Sequence, residues 1–275
     1  MNAAWNRAFP NCISDAAGRR CNTTLKWGLR ALITPPWAQD IGHDLDVTAL
    51  KELISGTPPP LVVLDLPAGM EPPHGLPPHS WTVPRHTRQS ALNSENDPVD
   101  SWPATRRKQL SRATREGMLT KQCHDLSLLV ELHQSARVRK GLNSDESALS
   151  PLLEALLQEP DTHAWTVHTD QGEVLAGGVF HGAGDGRCVY GFGGQFRTTS
   201  PGTSSRATVL LIGTAMRHAA QNGAHTFDFG GSMDAGVDRF YSEFGAPAIV
   251  KHRLVRVSRW WQPLLRWRRP DLFPV

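Results

Sequence analysis

The feature that most restricts this chain is the order of hydrophobic periodicities between residues 118 and 257. MLTKQC reads as a short strand, and DLSLLVELHQSARVRKG and ESALSPLLEALLQE read as helices. The second helix carries Leu149, Leu152, Leu153, Leu156 and Leu157 on one face, with Pro151 expected in its first turn. HAWTVHT, EVLAGGVFH and RCVYGFGG then follow as strands, separated by Asp170-Gln171-Gly172 and by GAGDG, which makes a β-meander. RATVLLIGTAMRHAAQNG is a long helix with Ile212, Ala215, Met216 and Ala219 at buried-face spacing and Asn222-Gly223 as its stop. The strand HTFDF, a short helix DAGVDRFYSEFG and the strand AIVKHRLVRV close the run. A meander followed by alternating helices and strands predicts a mixed α/β sheet with helices on both faces.

The stretch before residue 105 is punctuated by proline. TPPP (57–60) and PAGMEPPHGLPPHSWTVP (67–84) break helices and leave little room for long strands. DVTALKELISG reads as a short helix and LVVLDL as a buried strand. This divides the chain into a loop-rich α/β portion (1–104), a regular domain (105–257) and a basic aromatic tail (258–275).

At 39% hydrophobic and 20% charged residues, the chain is globular rather than disordered. No apolar run reaches the roughly 18–20 residues of a membrane span, and the N-terminus lacks the apolar core of a secretory signal. Cys12, Cys21, Cys123 and Cys188 share no Cys-x-x-Cys or Cys/His spacing. That spacing argues against a disulfide scaffold and a structural zinc, and fits a reducing cytoplasm. The histidines form no HxxxH or HExxH, so no metal site is expected. Nucleophile elbows, Walker loops and strand-borne GxGxxG motifs are missing as well, which removes the commonest hydrolase, NTPase and dinucleotide readings. Glycine-rich GDGRCVYGFGG belongs to the meander and is discounted as a site. Net charge is +3, but cations cluster in RRKQLSRATR (106–115) and RWWQPLLRWRR (259–269). Either cluster is a solvated face or meets an anionic partner: phosphate, nucleic acid or a bilayer surface.

Several stretches together resemble the Fem-type (FemABX-like) branch of the GNAT acyltransferase superfamily. RRKQLSRATREG is similar to the basic helix opening the second half of those transferases, and LLVELHQSARVRKGL to the helix and Arg-x-Gly turn that follow. FDFGGSMDAGVDRFYSEFGA resembles their C-terminal strand, Gly loop and helix, and ITPPWAQDIG the Pro-rich entry of their first half. The resemblance covers roughly residues 105–257, with a short, partial GNAT-like portion before it. It implies a GNAT-like fold and transfer of an acyl or aminoacyl group to an amine on a cell-envelope or polysaccharide precursor. Where Fem-type proteins often carry lysine after the phenylalanine of the last helix, this chain has Tyr241. RFYSEFGA is closer to the Phe-Tyr-x-x-x-Gly-Phe motif of acyl-CoA-using enzymes, whose tyrosine protonates the departing thiolate.

On that resemblance, acetyl-CoA or another acyl-CoA is the favoured donor, and aminoacyl-tRNA is the alternative. Tyr241 is the expected acid, with packing beside Phe240 and Phe244 as its competing role. Asp228 is expected to orient the amine, or else to cap the turn at Gly230-Gly231. The loop Thr199–Ser205, with Ser200, Gly202, Thr203, Ser204 and Ser205, is placed to take donor phosphate at a helix N-terminus, or to be a plain Ser/Thr cap. Arg137, Arg139, Arg239 and Tyr190 complete the expected substrate-binding set, with a salt bridge to Asp238 or Glu243 as the competing role of Arg239. The tail mixes Trp260, Trp261, Leu264, Leu265 and Trp267 with arginines. It is read as a peripheral membrane contact for a lipid-linked acceptor or as a segment packed on the body. The rival class is a non-catalytic GNAT-like module binding a partner or a membrane.

Overall fold

The computed structural model describes residues 3–139, 141, 146–198, 200, 202–231 and 234–274, and all but the side chain of residue 146. Helix α1 (Ala4–Ala8) leads into the hairpin β1 (Cys12–Asp15) and β2 (Gly18–Thr24), beside which β3 (Arg30–Ile33) returns. Cys12 and Cys21 face each other across β1 and β2 and form a disulfide, where the cysteine spacing argued against a disulfide scaffold. Cross-strand register brings the two together, and nothing in their linear spacing announces it.

Helix α2 (Val47–Ser55) starts at Asp46, whose carboxylate accepts a hydrogen bond from the Thr48 amide at 2.7 Å. Strand β4 (Leu61–Asp65) follows, then β5 (Ser80–Ala91), a strand of 12 residues. Its length corrects the expectation that the prolines up to residue 84 leave little room for long strands. Pro84 is tolerated because β5 has a neighbour on one side only around it: Ser80–Arg88 pair with β11 (Ala248–Val257), whereas β10 (Thr226–Asp228) joins at Gln89–Ala91.

Beyond the Pro-rich stretch come α3 (Ala104–Arg115), β6 (Leu119–Gln122), α4 (Leu126–Arg139) and α5 (Glu146–Leu157). The meander is β7 (Thr162–His168), β8 (Val174–Gly182) and β9 (Arg187–Gln195), followed by α6 (Thr203–Gln221), β10, α7 (Ala235–Ser242) and β11. This is the expected order. Pro151 differs from expectation in lying in the second turn of α5, inside the helix.

One 11-stranded mixed sheet runs β1-β2-β3-β4-β11-β5-β10-β9-β8-β7-β6. Its parallel pairs are β3–β4 and β9–β10. Strand β11 lies between β4 and β5, so the Pro-rich stretch does not split the sheet. Helices cover both faces. On the C-terminal strands, α3 and α6 bury Leu110, Leu211, Ile212 and Met216 against Phe180 and Phe227, while α1, α4 and α5 bury Trp5, Leu129 and Leu152 on the other side.

The N-terminal strands alternate in the same way. Leu32, Val62, Leu64 and Leu254 meet α2, and Ala31, Leu61, Val255 and Val257 meet the C-terminal tail. That tail contains α8 (Gln262–Arg268) and buries Leu265, Leu272 and Phe273, while the Trp81 indole donates to the Leu272 carbonyl at 2.7 Å. At about 1.5–3 kcal/mol per buried large apolar side chain, it is a structural cover of the sheet.

Candidate active site

Strands β9 and β10 pair in parallel only from Arg187–Thr226 to Val189–Asp228. Past that point β9 continues to Gln195, while the chain leaves β10 through Gly230 and Gly231, both at positive φ. The strands therefore part and leave one edge of β9 open. A cavity of about 640 Å³ occupies the gap, walled by β9, the end of α4, the first turns of α6, the Gly230 loop and α7.

Glycine shapes this wall. Opposite Val179 and Phe180, β9 offers Phe192 and Tyr190, so Gly191 is the extra residue of a bulge. The bulge sends Tyr190 onto Phe180, with ring centroids 4.8 Å apart, and leaves Phe192 against His133 on the opposite face. A side chain at Gly193 would overlap the Tyr190 hydroxyl, and one at Gly194 would overlap the Leu132 carbonyl of α4. The discounted stretch GDGRCVYGFGG is thus what lets α4 close over the cavity, and glycine inside a strand was its signal. Gly194→Ala is expected to cost about 1–3 kcal/mol, read as a lower urea midpoint. An unchanged midpoint would mean that α4 can ride off the strand without cost.

The protein has two tyrosines, and both face this cavity. Their rings are 6.4 Å apart, and Tyr241 also lies 5.0 Å from Phe229. Burial pushes both phenols above their ordinary range, with Tyr190 adding to the effect on Tyr241, so both stay protonated at neutral pH. The Tyr241 hydroxyl has no hydrogen-bond partner among the described residues.

Helix α7 holds Tyr241 in place through three carboxylates. Asp234 caps it by accepting from the Val237 amide at 2.9 Å. Asp238 takes a two-pronged bond from Arg88 of β5, at 2.7 and 2.8 Å, and contacts His86 at 2.9 Å. The Arg88 hydrogen bonds, against a small cost of burial, hold Asp238 down at about 2. From the other side Arg106 of α3, 2% exposed, donates to Glu243 at 2.7 Å and lies over the rings of Phe240 and Phe244. The 106–115 cluster is therefore partly internal: Arg106 clamps α7 and Arg112 pairs with Glu116 at 2.7 Å.

The structure does not bring every expected residue together. Arg137 and Arg139, in the last turn of α4, line the cavity with Tyr190, Tyr241 and Ser205. Asp228 does not face it. This carboxylate is 2% exposed and accepts from Thr87 at 2.6 Å, Gln89 at 2.8 Å, the Gly230 amide at 2.8 Å and Arg187 at 3.3 Å. It ties the Gly230 turn to β5 and β9 and is not among the residues that line the cavity. Arg239 points to solvent and pairs with Glu243 at 3.5 Å, outside the cavity.

In the phosphate-loop candidate, Thr199 and Pro201 lie outside the described residues, as do Ser232 and Met233 of the other loop and Lys140 and Leu142 of the turn after α4. Gly202, at φ 76°, is the N-cap of α6, and no side chain among the described residues caps it. Ser204 donates to the Phe196 carbonyl at 2.7 Å, Thr203 accepts from Arg206 at 3.1 Å, and Ser200 stays exposed, which leaves Ser205 in the cavity wall.

Residues 104–241 match the Acetyltransferase (GNAT) domain family. The chain belongs to the GNAT acetyltransferase family. No curated protein matches it by sequence. Among solved structures it is similar to FemX, at 15% identity and a TM-score of 0.66 over 91% of this chain and 86% of that one. It is also similar to the C-terminal domain of a putative lysylphosphatidylglycerol synthetase from Agrobacterium fabrum (11% identity, TM-score 0.65, covering 96% and 90%). A third likeness is to L-PGS from Bacillus licheniformis (11% identity, TM-score 0.62, covering 99% and 92%). At these identities the likeness is one of fold: this is a GNAT-type transferase with the Fem-like form of the GNAT fold.

Sequence reasoning passed over several residues of the transferase's cavity, His133 and Asp234 among them. His133, on α4, lines it with both ring nitrogens buried and without a hydrogen bond among the described residues. Burial, helped by Arg137, lowers it to about 4, so it is a neutral imidazole at pH 7. The signal was available in helical spacing: His133 stands four residues before Arg137, on the same face. No group of His, Cys, Asp and Glu among the described residues is placed to hold a metal ion.

Proposed function

We propose that this GNAT transferase moves an acyl or aminoacyl group, with acyl-CoA the favoured donor, to an amine on a cell-envelope or polysaccharide precursor. The observation that carries the reading is the Tyr241 hydroxyl, without a hydrogen bond among the described residues, in a cavity that reaches the first turn of α6. A helix N-terminus with free amides is where donor phosphate is best received, with Ser205 beside it. The open edge of β9 supplies backbone groups for an extended donor arm.

In the reaction, the amine nitrogen bonds to the acyl carbon and the carbon–sulfur bond breaks. Tyr241 gives its proton to the leaving sulfur, and the proton lost by the nitrogen restores the phenol by way of water. A phenol kept neutral by burial is suited to hydrogen-bonding a leaving atom as charge develops on it. Among the described cavity side chains, His133 and Asp234 accept protons. A histidine lowered to about 4 fits a hydrogen-bond acceptor for the nitrogen better than a strong base.

Arg137 and Arg139 meet an anionic part of the donor or acceptor. We place this chemistry in residues 105–257, with 1–104 and 258–275 completing the sheet and its cover. The aminoacyl-tRNA alternative drew on the basic helix, whose Arg106 is committed to α7. No described helix is long and apolar enough to cross a membrane. We assign the protein to the cytoplasm, peripheral at the inner membrane face through the 259–269 segment.

Calorimetric titration with acetyl-CoA and with free CoA tests the donor. Micromolar binding that Ser205→Glu abolishes, by setting a negative charge at the α6 N-terminus, is the expected result. No heat at millimolar CoA sinks the acyl-CoA reading and leaves aminoacyl donors.

A further inference from the structure

The tryptophans of the tail are not alone on the surface. Trp260 is 89% exposed and Trp267 71% exposed, and Trp27, from the turn between β2 and β3, is 59% exposed. The Arg268 guanidinium joins the two segments: it sits 4.2 Å from the Trp267 ring and 5.6 Å from the Trp27 ring. Trp260 lies just before α8 and Trp267 in its last turn, and the helix is only about 10 Å long, so these indoles share one end of the molecule. Leu25 is also exposed in the turn, and Lys26, Arg259 and Arg266 are exposed among the indoles. Arg269 is taken up by Asp271 at 2.8 Å.

Two facts show that the display is built. The base beneath it is rigid, because Leu265, Leu272 and Phe273 are buried against the sheet while Trp267 on the same short helix points out. Trp27 itself has φ 66°, a conformation that bulky residues rarely take, followed by Gly28 at φ 72°. A tryptophan held outward in a strained turn with no core to fill is an observed cost without a structural return.

We propose that Trp27, Trp260 and Trp267, with Lys26, Arg259, Arg266 and Arg268, form one composite surface that docks on an anionic lipid bilayer. Indoles settle at headgroup depth, where an apolar body and a polar N–H are both satisfied, and interleaved cations draw anionic headgroups to the same plane. A nucleic acid is the weaker fit, since stacking needs open ring faces and Arg268 covers a face of both Trp27 and Trp267. The surface lies at the Ser80 end of β5, and Gly231 at the cavity packs by Thr87 of the same strand. Seven strand residues, roughly 23 Å, separate the two along the strand. This deepens the peripheral contact assigned above and rests on that reading, and binding is measured apart from transfer.

The test is cosedimentation of the full chain with vesicles of phosphatidylcholine alone and of phosphatidylcholine mixed with phosphatidylglycerol. Binding to the mixed vesicles only, weakened by salt, is expected. Arg266→Glu with Arg268→Glu is expected to lower partitioning by at least roughly tenfold, given about fivefold for each cation near the surface. Trp27→Gly separates docking from folding: glycine relieves the positive φ, so the melting temperature holds or rises while partitioning falls several-fold. Equal binding to neutral vesicles, no binding to either, or a Trp27→Gly protein that partitions like the parent overturns the proposal. A shift of short poly-U RNA without vesicle binding also overturns it and gives the surface to nucleic acid. Acetyl-CoA titration of the same variants keeps the readings apart, since a docking failure leaves donor binding intact and a donor failure leaves docking intact.

Discussion

Replacing Tyr241 by phenylalanine is expected to lower kcat by roughly 100- to 10,000-fold, the usual worth of a positioned general acid, while KM and the melting temperature hold. Stability should hold because the hydroxyl has no hydrogen bond to lose among the described residues, whereas the ring keeps its contacts with Phe229 and Phe240. The measurement is thiol release from acetyl-CoA with lysine or glucosamine as acceptor. A thioester with a more acidic thiol needs less proton donation, so the deficit should shrink with it. Tyr190→Phe is the matched control, because Tyr190 shares the cavity but stacks on Phe180. Turnover within twofold of the parent for Tyr241→Phe would remove the phenol from the chemistry and return it to packing.

The second large effect is expected at Arg187. This side chain is 7% exposed and bonds Asp185 at 2.7 Å, Asp228 at 3.3 Å and Asp40 at 3.3 Å, while His43 contacts Asp185 at 3.1 Å. It joins the loop after β3 to β9 and β10, under the point where those strands part. Arg187→Met strands carboxylates in a buried position and is expected to cost about 3–5 kcal/mol, a fall in melting temperature of roughly 10 °C.

The pH dependence identifies the cause. Burial pushes Asp185 up, and Arg187 more than offsets it, so the carboxyl lies below its ordinary value in the folded protein. A lowered folded pKa gives stability that is present above the unfolded value and is lost as pH falls. In Arg187→Met that lowering is gone, so its deficit should be largest at neutral pH and narrow towards pH 4. A deficit that does not change with pH would point to lost packing instead of stranded charge.

Element order was legible because periodicity and stop signals are local. Every strand and helix from β6 to β11 was anticipated, and β11 matched residue for residue. Tyr241 stood out for a similar reason: it is a rare residue in a short ordered motif. Asp228 shows the limit. Alternation put it opposite Phe227 and Phe229, but whether that face held a cavity or a polar network depended on Thr87 and Gln89, more than a hundred residues away.

The chain by itself determined a mixed sheet with helices on both faces, the βα order of its second half and the place of Tyr241. Tertiary structure alone decided that β11 enters the N-terminal sheet, that Cys12 meets Cys21, that the tail covers one sheet face and that Trp27 joins it. It also decided that both tyrosines share one cavity, because Gly191 bulges β9 and β10 stops short. The physical reason is the range of the forces involved. Hydrophobic period and capping act over a few residues and are written in order, whereas strand register and burial of two faces are settled among segments far apart in the chain.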